Sequence, residues 1–127
     1  MELNFDNNIP IYIQLVEYLK KEIILEKFKI GERLPSVREL ALTLKVNPNT
    51  MQKALIELEN QKLIYTERTN GKYVTEDKKI IEKIKNDYAK ELTNKYFSNM
   101  KSIGYNKKEI IDYIKEMEDN NGTIRMY

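Results

Sequence analysis

The chain has 127 residues, room for one compact domain and a modest appendage, and its 33% charged and 41% hydrophobic residues are ordinary for a soluble, helix-rich protein. It contains neither histidine nor cysteine, which excludes disulfides, thiolate metal sites and most hydrolytic triads, so no cofactor, no metal site and no enzymatic activity is expected. The formal net charge of +2 is too small to argue for nucleic acid by itself, and only the distribution of charge can do so.

The first residues, Met1-Glu2-Leu3-Asn4-Phe5-Asp6, lack the basic and then apolar layout of a signal peptide. No apolar run is long enough to span a bilayer, so a cytoplasmic protein without a membrane partner is expected. Pro10 opens a predicted helix that runs to about Lys27. Tyr12, Leu15, Val16, Leu19, Ile23 and Ile24 recur along it at three- and four-residue spacing as one buried face, with Lys20, Lys21, Glu22 and Glu26 on the other side. Gly31 marks the following loop, and Leu34-Pro35 delivers the chain in extended form, because a residue before proline avoids the helical region.

Two helix starts follow in quick succession. Ser36 with Glu39 is a capping box, in which each side chain is expected to satisfy a free backbone N–H. Asn47 with Pro48 is a second start, Asn as N-cap and Pro at the first helical position. The helix over 37–44 buries Val37, Leu40, Ala41 and Leu44; the helix over 48–61 buries Met51, Ala54, Leu55 and Leu58. That leaves Asn49, Thr50, Gln52 and Lys53 facing outward at the start of the second. Between Arg33 and Lys53 stand four basic residues, Arg33, Arg38, Lys45 and Lys53, against one acid, Glu39.

Leu63 to Arg68 then reads as a strand and Lys72-Tyr73-Val74 as its partner, with Asn70-Gly71 between them as a hairpin signal, since both residues tolerate positive φ. The predicted fold is α+β and mainly helical: a winged helix-turn-helix of three helices plus a β-hairpin over residues 1–75, followed by a helical tail over 76–127. In the tail Ile80, Ile81, Ile84, Tyr88, Leu92, Tyr96 and Met100 recur along one long amphipathic helix. Gly104 interrupts it, and Asn106 with Glu109 reopens a helix carrying Ile110, Ile111, Ile114 and Met117. Residues 119–127 are expected to be frayed. The apolar stripe exceeds what a small winged domain covers. It packs either on the domain's own first helix or on a symmetric partner chain, and a homodimer is the favoured reading. The same helical spacing assigns the tail tyrosines to core or interface rather than to base stacking.

Two short helices joined by a tight turn, with polar residues on the first turn of the second, are what a helix-turn-helix DNA reader requires. Arg38, on the first turn beside Ser36, can grip a phosphate or pair bidentately with guanine. Ser36 has a sufficient role as a cap, and a phosphate at the same helix start is compatible with it. Asn49 and Gln52 suit adenine or the backbone, Lys53 and Lys72 suit phosphate, and Arg33 suits either a phosphate or a loop ion pair. Two rivals stay open on the residues alone. One is a winged protein-interaction module; the other is an enzyme built on carboxylates or lysine, for which no constellation is arranged.

The stretches Ile9-Pro10-Ile11-Tyr12-Ile13-Gln14-Leu15, Gly31-Glu32-Arg33-Leu34-Pro35-Ser36-Val37-Arg38-Glu39-Leu40-Ala41 and Val46-Asn47-Pro48-Asn49-Thr50-Met51-Gln52-Lys53-Ala54-Leu55 resemble, in order and spacing, the GntR family of bacterial transcription regulators. The resemblance covers residues 9 to 75, and Asn47-Pro48-Asn49-Thr50 with the short tail looks like the YtrA branch. It implies a dimeric winged helix-turn-helix on an inverted-repeat operator of double-stranded DNA, in this branch often controlling a transporter operon, and a repressor is the favoured reading. Ser36 and Arg38 would approach backbone and bases, Asn49, Thr50, Gln52 and Lys53 the major groove or its flanking phosphates, and Gly71 the minor groove or backbone. The chain departs from the pattern at Pro48, where many relatives carry arginine, and at Lys62, which replaces a glycine often found after the third helix. Thr69 replaces the first glycine of the wing's usual Gly-x-Gly, and Lys72 follows the remaining one. A small-molecule effector, of unknown identity, would have to sit at the dimer interface or between tail and DNA-binding domain, because the tail has little room for a deep pocket.

Overall fold

The computed structural model describes residues 2–121. Its elements run α1 (Ile11–Ile24), α2 (Val37–Leu44), α3 (Pro48–Asn60), β1 (Ile64–Glu67), β2 (Gly71–Val74), α4 (Lys78–Ser102) and α5 (Lys107–Asn121). They form two compact units, Met1–Lys85 and Asn86–Tyr127, with the first turns of α4 belonging to the first. The predicted helices and strands are all present, each within three residues of the expected bounds.

The first unit is built around one core. Leu15, Leu19 and Ile23 of α1, Leu40, Ala41 and Leu44 of α2, and Met51, Ala54, Leu55 and Leu58 of α3 are buried together with Leu63, Ile64 and Val74. Each apolar stripe repeats at helical spacing, and burying one such leucine stabilises the fold by about 1.5–3 kcal/mol. Tyr12 and Ile24, expected in the buried face, are only half-buried, whereas Glu22, expected on the solvent side, is buried. Its carboxylate lies 3.8 Å from Lys27 Nζ, an ion pair that offsets the cost of taking that charge out of water.

The helix starts use the capping chemistry written in the sequence, with one difference. Ser36 Oγ accepts the Glu39 N–H at 3.1 Å, but the Glu39 carboxylate accepts the Ser36 hydroxyl at 3.3 Å rather than a backbone N–H. Only half of that capping box forms. Asn47 Oδ1 accepts the Asn49 N–H at 2.7 Å, and Asn106 and Glu109 form the full reciprocal box at α5. Pro10 gives α1 no side-chain cap. Instead Gln14 folds back, accepting the Asp6 N–H and donating to the carbonyls of Asp6 and Ile9, each at 2.8 Å.

Helix ends carry the least expected feature. Glu26, Lys45 and Lys62 lie just past the ends of α1, α2 and α3 with φ of 59°, 58° and 64°. The left-handed region is where glycine is usual, because a Cβ there crowds the following carbonyl. Lys62 therefore stands at the position that glycine occupies in the resembling family for a backbone reason. The turn it makes lets Leu63 donate to the Leu58 carbonyl at 3.1 Å and bury its side chain.

In the second unit, the rest of α4 and α5 are joined by a turn in which Gly104 takes a φ of +99°. Ile110 is fully buried, and Tyr105 meets Tyr113 edge-on at 6.1 Å between ring centroids. The apolar stripe of α4 divides. Ile80, Ile81 and Ile84 pack on the core of the first unit, whereas Leu92 and Tyr96 are 66% and 38% exposed, as are parts of Ile103, Ile111, Tyr113 and Ile114. α5 continues through Asn121; the remainder of the end expected to fray, 122–127, lies outside the described residues.

Lys62→Gly is expected to raise stability by about 0.5–1 kcal/mol in urea denaturation, relief of the left-handed strain outweighing the greater freedom of the unfolded chain. An unchanged or lower midpoint would show that Lys62 contributes something the backbone argument misses.

Candidate nucleic-acid interface

The rotation of α3 decides what it presents. With Met51, Ala54, Leu55 and Leu58 fully buried, a period of 3.6 residues turns Asn49, Thr50, Gln52 and Lys53 away from the core. Asn49 and Lys53 are exposed, and Thr50 and Gln52 are half-buried. The Asn47 cap and Pro48 fix the first turn, so these side chains start from a defined helix end.

Ser36 and Arg38 sit at the N-cap and second residue of α2, both exposed. Ser36 is committed to Glu39 as described. Arg38 makes no salt bridge among the described residues. Lys53 is held instead of free: its Nζ stands 3.9 Å from the centroid of the Tyr12 ring.

The hairpin is shifted by one residue from the strand bounds read in the sequence, its three-residue loop being 68–70 rather than 69–71. Gly71 pairs with Glu67, Lys72 with Thr66, Tyr73 with Tyr65 and Val74 with Ile64. Arg68, Thr69 and Asn70 form the loop, closed by the Asn70 N–H on the Glu67 carbonyl at 3.3 Å. Asn70 is not among the residues at positive φ; Gly71 alone takes it, at +105°. That is the usual pattern of a three-residue hairpin loop with a glycine after the turn. Tyr65 and Tyr73 stack across the strands at 5.7 Å. Desolvation, then the carboxylates of Glu76 and Glu67, holds the Tyr65 hydroxyl above its ordinary range, so it is neutral at any pH near 7.

The segment before Pro35, read from sequence as loop, joins the edge of β2 through an isolated antiparallel bridge. Arg33 bridges Tyr73 in antiparallel fashion, Leu34 donates to the Lys72 carbonyl at 2.8 Å, and Val74 donates to Glu32 at 2.9 Å. The pairing brings two predicted site residues together: a methyl added at Gly71 would lie 3.3 Å from Arg33 Nε. Arg33 forms no salt bridge among the described residues, so the loop ion pair expected as its alternative role is absent there. Lys72 Nζ donates to Thr66 Oγ1 at 2.9 Å, and the Thr66 hydroxyl donates to the Glu59 carboxylate. This chain of contacts ties the wing to the last turn of α3.

Predicted site residues thus fall into three sets: Ser36 and Arg38 on α2; Asn49, Thr50, Gln52 and Lys53 on α3; and Arg33, Gly71 and Lys72 on the wing. Tyr12, Thr66 and Glu59 support them and were not singled out from sequence. Arg68 is also exposed, in the wing loop. Among the described residues no group of three or more His, Cys, Asp or Glu is placed to hold a metal ion, and no helix is long and apolar enough to cross a membrane.

The profile of bacterial regulatory proteins of the gntR family matches residues 11–74. YhcF of Bacillus subtilis, named an uncharacterized HTH-type transcriptional regulator, is 32% identical over 91% of this chain and 95% of its own length. YtrA of the same organism, named an HTH-type transcriptional repressor, is 42% identical over 58% of this chain and 56% of its own. Among solved structures, a GntR family transcriptional regulator from Listeria monocytogenes is 49% identical with a TM-score of 0.83, covering 88% of this chain and 98% of that one. The AraR(DBD) structure in complex with operator ORX1 is 25% identical with a TM-score of 0.54, covering 59% of this chain and 95% of that one.

Gly71→Ala is expected to lower stability by about 1–3 kcal/mol, since it places a Cβ at positive φ and against Arg33. Adding Arg33→Ala should recover the part due to crowding and leave the part due to φ. Thermal melting of the two variants checks this; equal losses would mean that Arg33 yields without cost.

Proposed function

We propose that this chain, which belongs to the GntR family of bacterial regulatory proteins, is a cytoplasmic repressor that binds an inverted-repeat operator as a homodimer. That it is a DNA-binding transcriptional regulator follows from the family; the operator symmetry, the dimer and the sign of regulation are the proposal. One observation carries it. The back of α3 is locked into the core while its capped first turn faces outward beside a wing bearing Arg33, Gly71 and Lys72.

In this reading Asn49, Thr50 and Gln52 meet base edges and flanking backbone in the major groove, and Arg38 meets guanine or a phosphate. Ser36, Arg33, Lys53 and Lys72 meet phosphates, and Gly71 lets the wing backbone approach closely. Phosphate contacts set register and orientation, and base contacts set sequence preference. Pro48 offers no side-chain donor, so this chain's preference rests on Arg38, Asn49 and Gln52.

The second unit supports the dimer. Leu92 on α4, Ile103 in the turn after it, and Ile111 and Ile114 on α5 leave 66%, 69%, 38% and 37% of their surface in water, while Ile110 is buried. An amphipathic pair of helices with that surface requires a partner. A two-fold dimer would present two copies of α3, and such dimers read half-sites about one helical turn apart. The relative YtrA is named a repressor, which supports a repressing role, and the resemblance to its branch points to a transporter operon. A small-molecule effector stays part of the proposal only as a ligand of the dimer.

The test is to select duplexes from a randomised library with the full chain, then measure affinity and mass. Selected sites are expected to be inverted repeats, and sedimentation equilibrium to give a dimer. Arg38→Ala should weaken the selected site by about 1–3 kcal/mol if it contacts a base. Leu92→Glu together with Ile114→Glu should give a folded monomer that has lost the two-fold site. Asymmetric selected sites, or a monomeric unaltered protein, would overturn the dimeric reading.

A further inference from the structure

We infer that Tyr12 is a positioning residue for DNA binding: its ring holds the Lys53 ammonium at the outer face of α3 without neutralising it, so that the charge is offered to the duplex backbone. The inference rests on the DNA-binding reading above and adds a residue of α1 to it.

Lys53 has a carboxylate at ordinary ion-pair spacing. Glu57 lies four residues further along the same helix, where lysine and glutamate are commonly neighbours. The pair does not form. Glu57 Oε1 accepts the Gln61 side-chain amide at 2.9 Å, and the lysine turns to Tyr12, 3.9 Å from ring centroid to Nζ. Another carboxylate in the cleft beside Tyr12, Glu17, is paired with Lys20 at 3.5 Å. Glu57, at ion-pair spacing from Lys53, and Glu17, beside Tyr12, therefore have other partners, and the lysine's own partner is a neutral face.

That difference matters for an ammonium meant to meet phosphate. A carboxylate would fix the lysine but cancel its charge, and binding would first have to break the pair. An aromatic face attracts the cation through its quadrupole and leaves the net charge in place. It also removes rotamer freedom from a flexible side chain before the complex forms, which lowers the ordering cost of association. Tyr12 can do this because Leu15, Leu19 and Ile23 anchor α1 in the core, leaving the ring half-buried beside α3.

The experiment is a double-mutant cycle on binding to a mixed-sequence duplex over a range of salt concentrations, with thermal melting of each variant. Lys53→Gln is expected to weaken binding and to reduce the slope of log K against log salt by about 0.9, the loss of one phosphate contact. Tyr12→Leu is expected to weaken binding about two- to fivefold, Tyr12→Phe to leave it unchanged, and the double variant to bind no more weakly than Lys53→Gln. Additive losses, or lower melting temperatures with unchanged DNA affinity, would overturn the inference and make the contact a strut between α1 and α3. An unaltered protein with no salt-sensitive duplex binding would remove the DNA-binding reading and this inference with it. A measurement independent of variant folding is the NMR shift of the Lys53 ε-methylene protons in the unaltered protein. Ring currents are expected to move them upfield both free and on the duplex, and random-coil shifts in either state would overturn the inference.

Discussion

Everything at the outward face of this protein depends on how α3 is clamped from behind. Met51, Ala54, Leu55 and Leu58 leave essentially no surface in water, and α1 and α2 close on them from two sides. A helix so held has one rotation. Slipping it by a single residue would turn its apolar stripe by about 100° and expose leucine in place of asparagine. The polar side chains at its start gain their geometry from this clamp and from the Asn47 cap. They have little geometry of their own, being short amides and a hydroxyl on a surface.

The turns between these helices are made against local preference. Glu26, Lys45 and Lys62 adopt the left-handed conformation at α1, α2 and α3 ends, each costing about 1–2 kcal/mol relative to glycine. What sustains them lies on either side: Val46 donates to the Ala41 carbonyl and Leu63 to the Leu58 carbonyl, closing each helix and returning an apolar side chain to the core. Packing therefore overrides propensity at these ends. At Lys62, which stands where the family often carries glycine, the chain trades backbone ease for charge, on a net charge of only +2.

Much of this was legible in the sequence because it is local. Helical periodicity, the Ser36, Asn47 and Asn106 caps and the hairpin need only a few neighbouring residues to read. The parts that were missed depend on counting or on partners far along the chain. The strand bounds read from the sequence would place Arg68 opposite Lys72; the observed register places Thr66 there and so creates the link from Lys72 to Glu59. Arg33 joins the wing through backbone pairing with Tyr73, forty residues later, a contact that no period or motif encodes. Tyr12 carried a helical spacing that fits a core position equally well, and its role beside Lys53 depends on how α1 crosses α3. Glu22 was misread for the same kind of reason, since burial of a charge is decided by Lys27 and the fold around it.

The distribution of partners around the cations ties these points together. Two salt bridges, Lys20 with Glu17 and Lys27 with Glu22, lie along α1 and its end. At the proposed interface the immediate partners are neutral: a tyrosine ring for Lys53, a threonine hydroxyl for Lys72, and the bare backbone of Gly71 beside Arg33. A strongly basic protein can attract DNA by bulk charge and tolerate loosely held lysines. A nearly neutral one must instead keep the cations of its contact face uncompensated and already in place, because each contributes one released counterion and no general field stands behind it. Neutral supports satisfy both demands at once. The small net charge is thus compatible with DNA reading because the cations named at the proposed interface have neutral immediate partners.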